Sequence, residues 1–341
     1  MGPVRIDTPA GNPMNSRAMA PYPTGWKRHR PTPLARALTA LLVTLIVGSA
    51  HAQQPASDAK PPPLEPRDVE IETKDGVALR ATWYASTVGE EAAPLILLHA
   101  LHGNRNDFRE FALYLQREKD FAVIVPDLRG HGESTQQELP TGEMVRLSDN
   151  RLRPHDFAAM AQRDVEAVKR LLIRHNNAGE LNIERLGIVG AEMGALVAIE
   201  WAYQDWIADS LPTIKQGRDV RALALLSPMS HFKTLDSRWL TQPPLRGQIA
   251  LQIIAGASDS DGLRDARSIY NLVRRSYLNG GSDEPAANQQ DKLFFDVGYD
   301  TSLHGAKMLG KKLGLEERIA RFFELQLVEP DLPWKERKSP L

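Results

Sequence analysis

The 341-residue sequence contains no cysteine. Disulfides, thiolate chemistry and a lipoprotein anchor are therefore excluded, an economy compatible with a periplasmic address. There is no excess of one charge either, with 42 Lys and Arg against 43 Asp and Glu. Without a basic block or stripe, the chain lacks the electrostatic footprint of a nucleic-acid binder. Internal repeats are absent, which sets aside solenoids and propellers. Long apolar runs are scarce as well. The stretch over residues 37–50 is uncharged but only 14 residues long, too short to cross a bilayer comfortably.

That short run has a particular setting. Lys27, Arg28, Arg30 and Arg36 precede it, and Ala50-His51-Ala52 offers a small-residue cleavage site after it. The pattern predicts a secretory signal peptide over residues 1–52, cleaved after Ala52, with an uncleaved anchor as the alternative. Residues 1–52 carry six Lys/Arg and one acid, so their removal leaves a mature chain at −6. Such a product suits neither nucleic acid nor anionic lipid, and no stable membrane insertion is expected after cleavage. Residues 53–67, with Pro61-Pro62-Pro63, predict an extended linker. Residues 328–341 mix prolines and charges and predict a flexible tail, leaving one domain over 68–327.

Within that domain, Val69-Glu70-Ile71 and Val77 to Trp83 alternate apolar and polar around Asp75-Gly76, a β-hairpin signal. From Leu95 onward, short apolar runs alternate with amphipathic stretches. The runs are Leu95–Leu98, Phe121–Val125, Leu186–Val189, Ala222–Leu226, Ile249–Ile254 and Leu293–Val297. The stretches place Phe108, Phe111, Ala112 and Leu115 on one stripe, then Ala161, Val165, Val168 and Leu172, then Ala266, Ile269, Tyr270 and Val273. Buried strands alternating with helices predict an α/β fold, a mostly parallel sheet covered on both faces. With the antiparallel start, eight strands are expected.

The third of those runs ends in Gly190-Ala191-Glu192-Met193-Gly194 and is followed by the small-residue stretch Ala195–Ile199. Strand, glycine-bracketed turn and helix reproduce the frame of the G-x-S-x-G nucleophile elbow. With the order of the other motifs, the chain over about residues 69–326 resembles the α/β-hydrolase superfamily, near its small lidless esterases and its dienelactone-hydrolase-like and serine-aminopeptidase-like members. The resemblance implies an acid at Asp259 in Gly256-Ala257-Ser258-Asp259, with Asp261 as fallback, and a histidine at His304 in Leu303-His304-Gly305. It also implies oxyanion donors from the backbone N–H groups of Leu101, in His99-Ala100-Leu101-His102-Gly103, and of Met193. The turn Asp127-Leu128-Arg129-Gly130-His131-Gly132-Glu133-Ser134 is similar to a D-x-R-G-H-G-x-S element whose role in the superfamily is structural.

The central residue of the elbow is Glu192, not serine, and no G-x-S-x-G occurs elsewhere in the chain. Ser227 and Ser258 follow strands at the same end of the sheet without an elbow. Glu192 can be read as a helix first-turn acid favoured by the helix dipole. It can be a carboxylate nucleophile, as aspartate is in haloalkane dehalogenases and epoxide hydrolases of the superfamily, although residues 227–248 are too few for a helical cap. Or the serine chemistry is lost and the fold is retained for binding (a small ester-like molecule being one candidate ligand), scaffolding or stability, with the carboxylate turned onto Met193 and Leu101 or paired with His304. A metal held by His99, His102, His131 and Glu192 is a further arrangement; no metal or other cofactor is expected.

Overall fold

The computed structural model describes residues 62–209, 215–278 and 292–337. The expected signal peptide, and most of the linker expected over 53–67, lie outside the described residues. Strands β1 (Arg67–Glu72) and β2 (Val77–Tyr84) form the anticipated hairpin, pairing Ile71 with Leu79. Gly76 closes the turn at φ +81°, and a Cβ there would stand 2.0 Å from the Glu138 carbonyl oxygen, so only glycine fits. Along β2, Val77, Leu79, Ala81 and Trp83 are fully buried while the residues between them are not.

Six parallel strands follow: β3 (Pro94–Leu98), β4 (Ala122–Pro126), β7 (Leu186–Ala191), β8 (Val220–Leu226), β11 (Ala250–Gly256) and β12 (Leu293–Tyr299). The order across the sheet is β12-β11-β8-β7-β3-β4-β2, with β1 on β2. These are the eight strands expected. The sheet has ten, because β5 (Gln136–Glu138) and β6 (Met144–Arg146) form a three-residue hairpin that continues along β2. At three residues each, these strands are too short to carry a period-2 signal. A separate two-stranded turn, β9 (His231–Phe232) with β10 (Leu235–Asp236), lies in the segment between β8 and β11.

Helices cover both faces. Alternate residues of β3 split between them: Ile96 and Leu98 join one core, Leu95 and Leu97 the other. The first core is closed by α2 (Pro154–Ala159), a π-helical turn (Met160–Val165) and α3 (Glu166–Asn177), by α4 (Met193–Ile207) and by α5 (Ser260–Leu278). The second is closed by α1 (Arg109–Lys119) and α6 (Leu315–Phe323). All the stripe residues named from the sequence are buried except Tyr270, which is partly buried and stacks on Phe295 with ring centroids 4.5 Å apart. Runs alternating every two residues between two helical layers are what a doubly covered sheet demands.

The Asp127–Ser134 turn is a brace. Asp127, fully buried, accepts from the Arg105 N–H (2.7 Å), the Glu133 N–H (2.9 Å) and the Arg105 guanidinium. The Arg129 guanidinium spans Asp164 of the π-helical turn (2.7 Å) and Asp75 of the β1–β2 turn (2.8 Å). Charged groups this deep are tolerated because each is paired and hydrogen-bonded.

One buried carboxyl has no charged partner among the described residues. Glu200 on α4 is 5 % exposed, and its Oε2 meets no hydrogen-bond donor among the described residues. Burial pushes its pKa up to about 7, against a small opposing pull from Gln162 in the π-helical turn. Because the folded-state value is raised, the unfolded chain ionises first, and stability falls as pH rises from about 4.5 to about 7. Glu200→Gln removes that cost. In urea unfolding it should match the wild type near pH 4.5 and exceed it by about 3 kcal/mol at pH 8; a gap that does not grow with pH would refute the assignment.

The chain end departs from expectation. Of the segment 328–341 expected to be a flexible tail, residues 332–337 lie as a strap across α3 and the β7 and β8 approaches. Asn182 Nδ2 donates to the Leu332 carbonyl (2.8 Å), Asn176 Nδ2 to that of Lys335 (2.9 Å) and Trp334 Nε1 to that of Asn176 (3.1 Å). Arg337 is 4 % exposed and ion-paired to Asp219 and Glu184. Asp219 in turn binds Lys169 at 2.9 Å and Lys215 at 3.0 Å. Side-chain amides reading backbone carbonyls leave no periodic trace, so the sequence showed only prolines and charge.

Candidate functional site at the elbow of strand β7

Strand β7 runs into α4 through Glu192, whose backbone sits at φ 52°, ψ −112°. A non-glycine residue there is strained by about 1–3 kcal/mol, and the surroundings must hold it. They do so by close approach. The Glu192 N–H donates to the Leu226 carbonyl at 3.0 Å. A Cβ on Gly190 would stand 2.6 Å from Ala195 Cα, and one on Gly194 2.4 Å from the Leu98 carbonyl oxygen. The two glycines let the first turn of α4 lie against the end of β3, where the His99–Gly103 loop begins.

Asp259 follows β11 and His304 follows β12, and the fold brings both to Glu192. His304 Nδ1 lies 2.5 Å from Asp259 Oδ2. Asp259 is 8 % exposed and accepts from the Gly262 N–H at Oδ1 (3.1 Å) and from the Ser227 hydroxyl at Oδ2 (3.2 Å). The aspartate therefore caps α5 while its other oxygen lies within hydrogen-bond distance of the histidine. Asp261, the fallback, pairs with Arg264 at 2.8 Å instead.

On the other side of the ring, His304 Nε2 is 3.8 Å from Glu192 Oε2. Beside them is Gly305, at φ +56°, where a Cβ would stand 2.6 Å from Glu192 Oε1. The carboxylate is thus wedged between the elbow and the histidine loop. Its side chain makes no capping hydrogen bond to its own helix. Burial pushes the Glu192 carboxyl up, with His304 and Lys307 pulling it down and Asp259 and Asp107 pushing it up. An ionised carboxylate has no proton to give, and neither has a bare imidazole nitrogen. At 3.8 Å the two groups face each other without a direct hydrogen bond.

The oxyanion loop is altered. His102, standing where the family has glycine, takes φ 63° and is held by Asp149, whose Oδ2 lies 2.7 Å from Nδ1. The four-residue metal arrangement is not assembled. His99 uses both ring nitrogens, Nδ1–H toward the Ala100 carbonyl (2.8 Å) and Nε2 accepting from the Leu128 N–H (3.0 Å). Burial, reinforced by His131, lowers its pKa to about 4, so the ring stays neutral and occupied. Among the described residues no group of three His, Asp or Glu side chains could hold a metal ion.

Sequence reasoning missed Gly262, Gly305, Asp107 and Lys307 as neighbours of the site. Gly262 had a legible signal, three residues after a candidate cap; the others depend on how loops from distant segments meet.

A strained elbow after a central parallel strand, an aspartate and a histidine after the last two strands, and a sheet of this order define the hydrolase class of α/β proteins. The sequence profile of the alpha/beta hydrolase fold family matches residues 93–264, half of the chain, and the protein belongs to that family. No curated protein matches the chain in sequence. Among solved structures it is similar to an esterase of Pyrococcus furiosus (16 % identity over 77 % of this chain and 91 % of that one, TM-score 0.51). It is also similar to a highly thermostable carboxyl esterase from Bacillus coagulans (12 %, 78 % and 100 %, 0.51) and to the acylaminoacyl peptidase of Pyrococcus horikoshii (14 %, 80 % and 43 %, 0.51). At these identities the likeness is one of fold.

Proposed function

We propose that this protein is an exported relative of the ester and amide hydrolases that lacks the elbow serine, and whose site binds a small ester-like molecule without turning it over. One observation carries the reading: the elbow side chain is a carboxylate facing His304 Nε2, the atom that would take a proton from a nucleophile. The carboxylate fills the side of the ring where a serine hydroxyl would stand, so Nε2 has no hydroxyl to activate. Ser227 cannot substitute, because its hydroxyl is on the Asp259 side of the ring. Export rests on the signal-like segment, and a mature N-terminus at Gln53 in the secreted or periplasmic fraction would support it. Purified residues 53–341 should show no histidine-dependent hydrolysis of short p-nitrophenyl esters and no adduct with a fluorophosphonate. Turnover abolished by His304→Ala would overturn the proposal.

A second reading is favoured by the fact that Glu192 leaves its own first-turn donors unused. In it the carboxylate attacks an electrophilic saturated carbon and displaces its leaving group, and water activated at His304 then hydrolyses the ester by attack on the Glu192 carbonyl, releasing the alcohol and restoring the carboxylate. Single-turnover reaction in ¹⁸O-water would then place label in the peptide bearing Glu192.

A further inference from the structure

Away from the elbow, a cleft of about 350 Å³ lies between the N-terminal lead-in and α1, with Glu65 and Asp68 on one wall and Arg109 and Arg117 on the other. Its near wall is fixed rather than loose: Gln116 Nε2 of α1 donates to the carbonyls of Leu64 (2.9 Å) and Ala85 (2.8 Å). Two buried polar groups reach it from beneath, Tyr84 at 3 % exposure and Arg105 at 9 %.

These two differ in what they still have to offer. The Arg105 guanidinium is committed to Asp127 and to Glu133 (2.7 Å). The Tyr84 hydroxyl makes no hydrogen bond among the described residues. Its ring is buried, yet the oxygen is not sealed within the protein, so it opens into the cleft it lines. A phenol inserted this deeply with its one polar atom unused needs a partner from outside. Arg109, at the first turn of α1, makes no ion pair or hydrogen bond among the described residues either. Burial raises the Tyr84 phenol, with Arg109 and Arg105 pulling it down and Asp68 and Glu110 pushing it up, so charges of both signs converge on that oxygen. Asp68 is held by the Thr82 hydroxyl at 2.8 Å and faces Arg105 only at 3.8 Å.

A bare anion would meet the carboxylates on one wall, and a bare cation the arginines on the other. A molecule bearing both charges satisfies the two together. We propose that this cleft is a second small-molecule site, sharing no residue with the Glu192–His304–Asp259 constellation, that takes a zwitterion of the amino-acid type. Its carboxylate lies between the Tyr84 hydroxyl and the Arg109 guanidinium, its ammonium points to Asp68 and Glu65, and Leu113 offers apolar surface to a side chain.

The test is an NMR titration of the full chain with L-leucine, acetate and isopentylamine. L-leucine should bind with a Kd on the order of 1 mM, and acetate and isopentylamine each at least about tenfold more weakly. Tyr84→Phe removes one oxygen with no partner in the fold, and Arg109→Gln one unpaired charge. Each should weaken L-leucine about tenfold with unchanged melting temperature, while Glu192→Ser leaves the affinity as it was. Absence of saturable binding up to about 20 mM would overturn the site. Acetate binding as well as L-leucine would overturn the zwitterion, and binding indifferent to both variants would place the ligand elsewhere.

Discussion

Glu192→Ser should hydrolyse short p-nitrophenyl esters at least about 10³-fold faster than the wild type, because the rest of a serine triad is already in place. The elbow holds its strained dihedrals through Gly190, Gly194 and the bond to Leu226, none of which involves the Glu192 side chain. Asp259 is capped, buried and 2.5 Å from His304 Nδ1. What stands in the way is the carboxylate, wedged against Gly305 and occupying the Nε2 side of the ring. Serine vacates that space and supplies the hydroxyl. A triad acting as a unit contributes on the order of 10⁶ in kcat, so an imperfect one, with His102 in the oxyanion loop, still leaves a large gain. The gain must vanish in Glu192→Ser/His304→Ala. A folded Glu192→Ser protein that stays silent would show that the oxyanion loop has decayed too, and that the elbow residue is not the sole lesion.

The second large effect lies at the other end of the molecule. Arg337→Met should destabilise the protein by about 3–5 kcal/mol, seen as a fall in Tm of roughly 10 °C. Burial alone would raise the Asp219 pKa, but Lys169, Arg337 and Lys215 outweigh it and hold it at about 2. Removing the arginine leaves Asp219 and Glu184, both buried, short of one positive charge, and one-sided loss is the expensive way to break a buried network. Arg337→Met with Asp219→Asn should recover part of the loss, a coupling that double-mutant analysis in urea reads directly. A cost below about 1 kcal/mol would mean that the strap is an ornament on a domain complete without it.

Most of this fold was legible because its core obeys two simple periods. Leu95 to Leu98 read as a buried strand and proved to feed both cores by alternation, and Phe111, Ala112 and Leu115 read as one helical stripe and proved to be one. Glu192, Asp259 and His304 were found from chain order and glycine spacing, which fix backbone position. Side-chain direction was not legible in the same way. Whether Glu192 would turn to Met193 or to His304 depends on Gly305, a residue from a loop more than a hundred positions away. The β5–β6 hairpin and the strap escaped for a related reason: both are held by polar contacts of single residues, and such contacts have no period.

The strap also dictates when the molecule is finished. Arg337 closes onto Asp219 across 118 positions, and Leu332 onto Asn182 across 150. The β1–β2 hairpin, by contrast, closes on itself as soon as it exists. A chain that emerges from its N-terminus presents Lys169, Asp205 and Asp219 to one another well before the last arginine arrives. Until Arg337 is present that cluster is one positive charge short, and a chain truncated before residue 337 would keep the mismatch.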